Sequence, residues 1–160
     1  MLPMTQARSK RLRDLISKGT VQMPGAFNAL TARAIERAGF EAIYVSGAGL
    51  SNAVFGLPDV GLVSATEAVE HARRIVNAVT LPVVVDADTG FGEAINTART
   101  VAEMEAAGVS AVHLEDQVLP KKCGHLDGKA SVSAEAMAEK IRAACAARRD
   151  KDFMIIARTD

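Results

Sequence analysis

Two aspartates close an apolar run and could together hold a metal ion. Asp86 and Asp88 end the run 81–85 and precede the glycine-containing segment 89–92. Residues two apart in a strand point to the same side, so both carboxylates can address one point above a sheet. Left alone, the two anions would repel each other and raise one pKa, whereas a hard divalent cation with oxygen ligands removes the conflict. The spacing alone fits a loop with helix-capping aspartates equally well.

Further carboxylates close the next apolar run along the chain. Glu115 and Asp116 follow 111–114 in the same manner. Acidic ends on successive strands are poorly explained as solvated charge, because strand ends that face a barrel mouth are partly enclosed. Mg²⁺ usually takes only one or two carboxylates directly and keeps water for its other positions. The pattern therefore predicts a magnesium site that retains several waters.

A basic loop with a thiol follows the second acidic cluster. It contains Lys121, Lys122, Cys123 and His125. A thiol beside cations is a candidate for a lowered pKa, and a nearby histidine can transfer protons at neutral pH. The alternative is a surface loop with an incidental thiol. Cys145 lies in an alanine-rich helical run and is instead expected to be a small core residue.

Two other strand ends carry groups that could bind an anion. Residues 46–49 (Ser-Gly-Ala-Gly) offer a hydroxyl and exposed backbone N–H groups to a carboxylate or enolate oxygen. Arg158 could grip a carboxylate through two N–H groups. Serine-glycine turns and terminal arginines are common, so each signal is weak alone. Their shared position at strand ends favours a binding role.

The elements that must position these residues follow from short apolar runs that alternate with amphipathic stretches, a pattern typical of βα units on a parallel sheet. A first helix is predicted at 6–18, and Ser64 with Glu67 forms a capping box at the start of another. Long segments at 47–63 and 116–131 follow the carboxyl ends of strands, where ligands bind in such folds. Five strands are predicted, at 21–27, 42–45, 82–86, 111–115 and 153–158.

The composition indicates one α/β domain covering 1–160. An apolar fraction of 49% is enough for a sizeable core. Nineteen basic and nineteen acidic residues cancel without long blocks, which excludes the electrostatic footprint of a nucleic-acid or membrane-surface binder and favours a small-molecule partner. The apolar runs are far shorter than the roughly 20 residues that span a bilayer. Two cysteines do not make a disulfide framework, so a cytoplasmic setting is expected.

Together these motifs resemble the isocitrate lyase and phosphoenolpyruvate mutase superfamily over almost the whole chain. The cysteine loop resembles that of the lyases, whereas the phosphonomutases carry an asparagine-serine type of loop there. Compact spacing makes methylisocitrate lyase the most similar member. The matching runs are 44–49 (Tyr-Val-Ser-Gly-Ala-Gly), 56–59 (Gly-Leu-Pro-Asp), 86–92, 115–117, 121–125 and 157–160.

The resemblance implies a (β/α)8 TIM barrel, of which this chain supplies about the first five βα units, since such a barrel usually needs about 250 residues. It implies that Asp86 and Asp88 hold Mg²⁺, with Mn²⁺ as an alternative ion, and that Glu115 supports the metal through water. It implies a substrate-binding set of Ser46, Gly47, Ala48, Asp59, Gly124 and Arg158. It also implies a catalytic set made of Cys123 as general acid, Lys121 and His125 in the loop around it, and Tyr44 for the hydroxyl proton.

The implied activity is that of a magnesium-dependent carbon-carbon lyase in propionate catabolism or related carboxylic acid metabolism. Its partner would be a 2-hydroxy tricarboxylate: 2-methylisocitrate would be cleaved to pyruvate and succinate, or isocitrate to glyoxylate and succinate. A cytoplasmic homo-oligomer is expected at full length. The alternatives are a phosphonomutase or other superfamily reaction, and a catalytically silent truncated barrel that pairs with another subunit.

Overall fold

Five parallel strands form one sheet in which spatial order equals chain order. The fold is seen in a computed structural model that describes residues 4–160. A doubly wound sheet would reverse its strand order partway, whereas an order without reversal is that of a barrel. The prediction of a partial (β/α)8 barrel is therefore confirmed. The strands are β1 (Gly25–Ala26), β2 (Ile43–Val45), β3 (Val83–Asp86), β4 (Ala111–Glu115) and β5 (Met154–Arg158).

Apart from the first helix, which precedes the first strand, the helices lie between successive strands along the chain. The predicted capping box is confirmed, because the Ser64 hydroxyl and the Glu67 carboxylate each accept from the other residue's backbone N–H. None of the helices within 4–160 is long and apolar enough to cross a membrane. The helices are α1 (Met4–Lys18), α2 (Ala29–Arg37), α3 (Gly47–Gly49) continuing as a π-helix (Leu50–Phe55), α4 (Ala65–Ala78), α5 (Ala94–Ala106) and α6 (Ala134–Ala147).

Three local expectations are wrong. The strand predicted at 21–27 is only Gly25–Ala26, because Pro24 has no N–H to contribute to a ladder. The predicted loop at 47–63 begins with helical turns up to Phe55. Cys145 is exposed rather than in the core, since α6 buries Lys140 and Ala144 and the next residue along the helix points outward.

The inner side of the sheet is built in layers. At the amino ends of the strands, Leu12 of α1 packs on Ala42, Val84 and Ala111, all buried, and we call these four residues the floor. Side chains two apart along a strand share a side, so the inner side continues upward through Tyr44 and His113 among others. The top layer is Ser46, Asp88, Glu115 and Arg158, which we call the mouth. The register pairs Glu115 with Arg158 directly.

Candidate active site

A cavity of about 330 Å³ opens at the mouth of the sheet. It lies at the carboxyl ends of the strands, where barrel enzymes place their active sites. Among the sequence-predicted site residues, only Gly47 and Asp88 are missing from its lining, and both contact Asp86 directly. The lining is Tyr44, Ser46, Ala48, Asp59, Asp86, Glu115, Lys121, Cys123, Gly124, His125 and Arg158.

Gly47 brings the backbone of one loop onto the acidic pair. Its N–H donates to Asp86 Oδ2 at 3.2 Å, and the Asp88 N–H donates to Asp86 Oδ1 at 3.2 Å. A methyl group at Gly47 would lie 3.2 Å from Asp86 Oδ2 and 3.3 Å from Asp88 Oδ1. Glycine is therefore the residue that leaves the space between the two carboxylates open to a ligand. Ser46 lies just before it and caps α3, its hydroxyl accepting from the Gly49 N–H at 3.2 Å.

Asp88 is held in an unusual conformation and a costly environment. Its φ is +46°, in the left-handed region that aspartate tolerates better than most residues. It is 8% exposed, and its Oδ1 has no hydrogen-bond partner of good geometry although Lys121 Nζ lies 2.8 Å away. Burial first, and then the charge of Asp86, raise the pKa of Asp88 to about 6. The carboxylate is thus short of positive charge.

Glu115 shares this shortage. It is 5% exposed, and burial raises its pKa to about 7, with the charges of Asp86 and Asp88 adding to the rise. Lys121 and Arg158 act in the opposite direction, and Arg158 Nη1 lies 3.4 Å from Glu115 Oε2. Two nearby cations are therefore insufficient to restore ordinary acidity.

The donor set fits a hard divalent cation. Asp86, Asp88 and Glu115 offer only oxygen, and two of them carry raised pKa values that a bound cation would lower. Within residues 4–160 no three His, Cys, Asp or Glu side chains converge closely enough to hold a metal ion by themselves. An ion that takes one or two carboxylates and completes its shell with water is compatible with that spacing.

Lys121 is a buried cation between two carboxylates. It is 3% exposed, and its Nζ lies 2.5 Å from Asp59 Oδ1 and 2.8 Å from Asp88 Oδ1. Burial would lower the pKa of Lys121, but the charges of Asp88 and Asp59 raise it above the ordinary value. Lys122 Nζ donates to the Asp127 carbonyl instead. The ammonium groups of both lysines are thus bound to oxygen atoms.

Arg158 and the loop after β4 meet above the cavity. Cys123 and Gly124 are half-buried there, and His125 is exposed. A methyl group at Gly124 would lie 2.5 Å from Arg158 Nη2, so an alanine here would force the guanidinium at the end of that side chain to move. Arg158 also forms an ion pair with Asp160. The thiol and the guanidinium thus border the same cavity.

His113 is a site residue that sequence reasoning missed. Its Nδ1 lies 2.9 Å from the Tyr44 hydroxyl, and the two rings meet edge to face. Burial lowers the pKa of His113, which favours a neutral imidazole at neutral pH. Burial and the charge of Asp86 raise the pKa of Tyr44. The available signal was its position two residues before Glu115, which places it on the same side of the strand.

The comparisons with known proteins agree with this geometry. A family model described as phosphoenolpyruvate phosphomutase matches residues 12–160. "Probable 2-methylisocitrate lyase 2" of Corynebacterium glutamicum is 54% identical over 154 residues, which are 96% of this chain and 50% of that protein. The chain spans about half the length of the curated relatives it matches.

Solved structures also match almost the whole chain. The phosphoenolpyruvate phosphomutase of Streptomyces platensis subsp. rosaceus superposes with a TM-score of 0.91 at 43% identity, covering 94% of this chain and 53% of that one. A phosphonopyruvate hydrolase in complex with oxalate and Mg²⁺ superposes with a TM-score of 0.82 at 36% identity, covering 99% of this chain and 53% of that one. The chain is therefore similar to these two proteins in both sequence and fold.

Proposed function

The chain belongs to the phosphoenolpyruvate mutase and isocitrate lyase superfamily of enzymes, and from that membership we propose that it carries the metal-binding and proton-donating part of a carbon-carbon lyase site. The substrate class is a 2-hydroxy tricarboxylate. With 2-methylisocitrate the products are pyruvate and succinate. The observation that carries the proposal is the cavity at the mouth, which brings the Cys123 thiol, the Asp86 and Glu115 carboxylates and the Arg158 guanidinium to one space.

The reaction breaks the bond between the hydroxyl-bearing carbon and the carbon that becomes part of succinate. The hydroxyl loses its proton and becomes the carbonyl of the keto acid, while the bonding electron pair stays on the succinate carbon and takes up a proton. Asp86 and Asp88 would hold Mg²⁺, with Glu115 acting through water, and the bound ion would stabilise as a Lewis acid the negative charge on the hydroxyl oxygen as its proton leaves.

The chain's own residues supply binding and proton transfer. Arg158 can bind a substrate carboxylate through two N–H groups, and Ser46 and Ala48 line the same cavity. Cys123 is the acid that delivers a proton to the succinate carbon. Tyr44 accepts the hydroxyl proton of the substrate. His113 Nδ1 lies 2.9 Å from the Tyr44 hydroxyl oxygen and can accept a proton from it.

A matched pair of cysteine variants tests this proposal. Pyruvate release from 2-methylisocitrate with Mg²⁺ is expected to fall about 100-fold or more in Cys123→Ser, since positioned proton transfer contributes roughly 10²–10⁴-fold. Cys145→Ser removes an exposed thiol on α6, remote from the cavity lining, and is expected to stay within about twofold of the unchanged chain. Equal rates in the two variants, or no pyruvate above background in the unchanged chain, would count against the proposal.

A phosphonate reaction is the second candidate, because both superposed structures are named for enzymes of phosphonate or phosphoenolpyruvate chemistry. The Cys123 thiol at the cavity favours the lyase, since the phosphonomutases of the superfamily carry an asparagine-serine type of loop at this place. Turnover of phosphonopyruvate with none of 2-methylisocitrate would reverse this preference.

The cytoplasmic setting, the role in propionate catabolism and homo-oligomerisation stay proposals. Two free cysteines fit a reducing compartment.

A further inference from the structure

The side-chain amide of Gln117 is buried between the Glu115 carboxylate and the loop that contains Cys123. It is 1% exposed and follows β4 by two residues. Its Nε2 donates to Glu115 Oε1 at 2.9 Å and to the Lys122 carbonyl at 2.8 Å, while its Oε1 accepts from the Lys122 N–H at 2.9 Å. The Gln117 side chain thus binds both the backbone N–H and the backbone carbonyl of Lys122.

The orientation of this amide follows from its partners. A primary amide has one acceptor oxygen and two N–H donors. The Lys122 N–H requires the oxygen, and the Lys122 carbonyl and the Glu115 carboxylate require the two hydrogens. In the opposite orientation Gln117 would place its oxygen against two acceptors and its NH₂ group against a donor. The buried Glu115 carboxylate and the part-buried N–H and carbonyl of Lys122 therefore hold the side chain in one position, and leaving the buried carboxylate unpaired would be costly.

Hydrogen bonds hold the loop at its base and again next to the thiol. At its base, the Val118 N–H donates to the Ala130 carbonyl at 2.7 Å and the Val132 N–H to the Asp116 carbonyl at 2.8 Å. Further out, Gln117 binds the backbone of Lys122 on both sides. Cys123 is the next residue along the chain. The Cys123 carbonyl also accepts from the Leu126 N–H at 2.8 Å, so the thiol lies between the Gln117 contact and this turn.

We infer that Gln117 is a positioning residue that fixes the place of the Cys123 thiol and links it to the Glu115 carboxylate. Its side-chain amide connects the Glu115 carboxylate to the backbone of Lys122, the residue before Cys123. The inference rests on the proposed function only for the statement that Cys123 is the proton donor. The mechanical link from Glu115 to the loop is independent of substrate and metal.

Relative alkylation of the two cysteines tests this role without turnover. Iodoacetamide labelling is followed by mass spectrometry in the metal-free chain, and the exposed Cys145 serves as the internal reference. Gln117→Met keeps the length of the side chain but loses all of its hydrogen bonds, including the two to the Lys122 backbone. The labelling rate of Cys123 relative to Cys145 is expected to rise about tenfold, the effect of losing those two hydrogen bonds to the loop. A change below about twofold would overturn the inference.

Val112→Ala is the matched control for general loosening. Val112 is buried on the same strand but faces the outer core rather than the loop. It should lower stability without changing the labelling ratio. An equal rise of the ratio in Val112→Ala and Gln117→Met would show a merely structural effect and overturn the inference.

Hydrogen exchange in the unchanged chain gives a readout that needs no variant. The Lys122 amide should be protected about 100-fold relative to the exposed His125 amide if the Gln117 contact persists in solution. Equal exchange at the two amides would overturn the inference. Failure of the proposed function has a different mark: no pyruvate release, with the labelling and exchange results still as expected.

Discussion

Replacing Lys121 by methionine should expose the electrostatic cost of the site. The side chain is 3% exposed and is the cation that both Asp59 and Asp88 contact. Methionine fills a similar volume but leaves two buried carboxylates without their shared partner. Removal of one member of a buried ion pair costs about 3–5 kcal/mol. We expect a loss of this size in the free energy of unfolding at about pH 8, where the carboxylates of the unfolded chain are ionised.

The size of the loss should depend on pH. Even with Lys121 present, the pKa of Asp88 is raised to about 6, which from an ordinary value of 3.8 corresponds to about 3 kcal/mol. Without the lysine the rise becomes larger. A carboxyl whose folded pKa is raised holds its proton in the folded state, so its stability contribution is lost as pH increases through that window. The penalty of Lys121→Met should therefore shrink to below about 2 kcal/mol near pH 5.

Urea unfolding followed by far-ultraviolet circular dichroism, with a chelator present, measures this effect. Lys122→Met is the matched control, because its Nζ contacts only the Asp127 carbonyl at the surface and its loss should cost under about 0.5 kcal/mol. Adding Asp59→Asn to Lys121→Met should restore about 1 kcal/mol or more by removing one buried charge. Equal penalties for the two lysine variants at about pH 8, or a Lys121→Met penalty that does not change with pH, would refute the reasoning.

Three other outcomes are expected. Gly124→Ala should lower kcat/KM for 2-methylisocitrate about tenfold or more while changing the free energy of unfolding by under about 1 kcal/mol, because the new methyl group meets Arg158 Nη2; unchanged kinetics would contradict the crowding seen here. Leu12→Ala should cost about 3 kcal/mol in urea unfolding, since it empties a fully buried position in the floor, and a loss under about 1 kcal/mol would show that α1 is loosely attached. Without metal, Glu115→Gln should become more stable relative to the unchanged chain, by about 2 kcal/mol, as pH rises from about 4.5 to about 7. The unchanged chain loses stability over this range because the folded pKa of Glu115 is raised, whereas glutamine does not titrate. A pH-independent difference would argue against that rise.

Local pattern carried much of the fold and the acidic part of the site. Apolar runs of strand length announce β3 and β4, and an acidic residue at the end of such a run points to the carboxyl edge of the sheet. This pattern predicts Asp86, Asp88 and Glu115 as site residues without reference to any tertiary contact. Strand 1 was overestimated, because an edge segment with Pro24 has apolar residues without a complete ladder.

The rest depended on contacts between distant parts of the chain. Lys121 finds Asp59 across 62 residues, and nothing in either neighbourhood marks them as a pair. Tyr44 finds His113 across 69 residues. Gln117 follows an acidic pair in the sequence, a place typical of exposed polar side chains, yet it is 1% exposed because the loop folds back over it. Burial of a polar side chain is a tertiary property, so periodicity could not reveal it.

The layered inner side of the sheet separates durability from reactivity. On β4, Ala111 belongs to the floor and Glu115 to the mouth, four residues apart, or about 13 Å at the usual rise per residue. Exchanging a mouth side chain leaves the floor packing undisturbed. A catalyst arranged in this way can acquire a different chemistry by replacing a few side chains at one end while its framework persists. Superposable relatives named for a phosphomutase and for a phosphonopyruvate hydrolase are outcomes that such an arrangement permits.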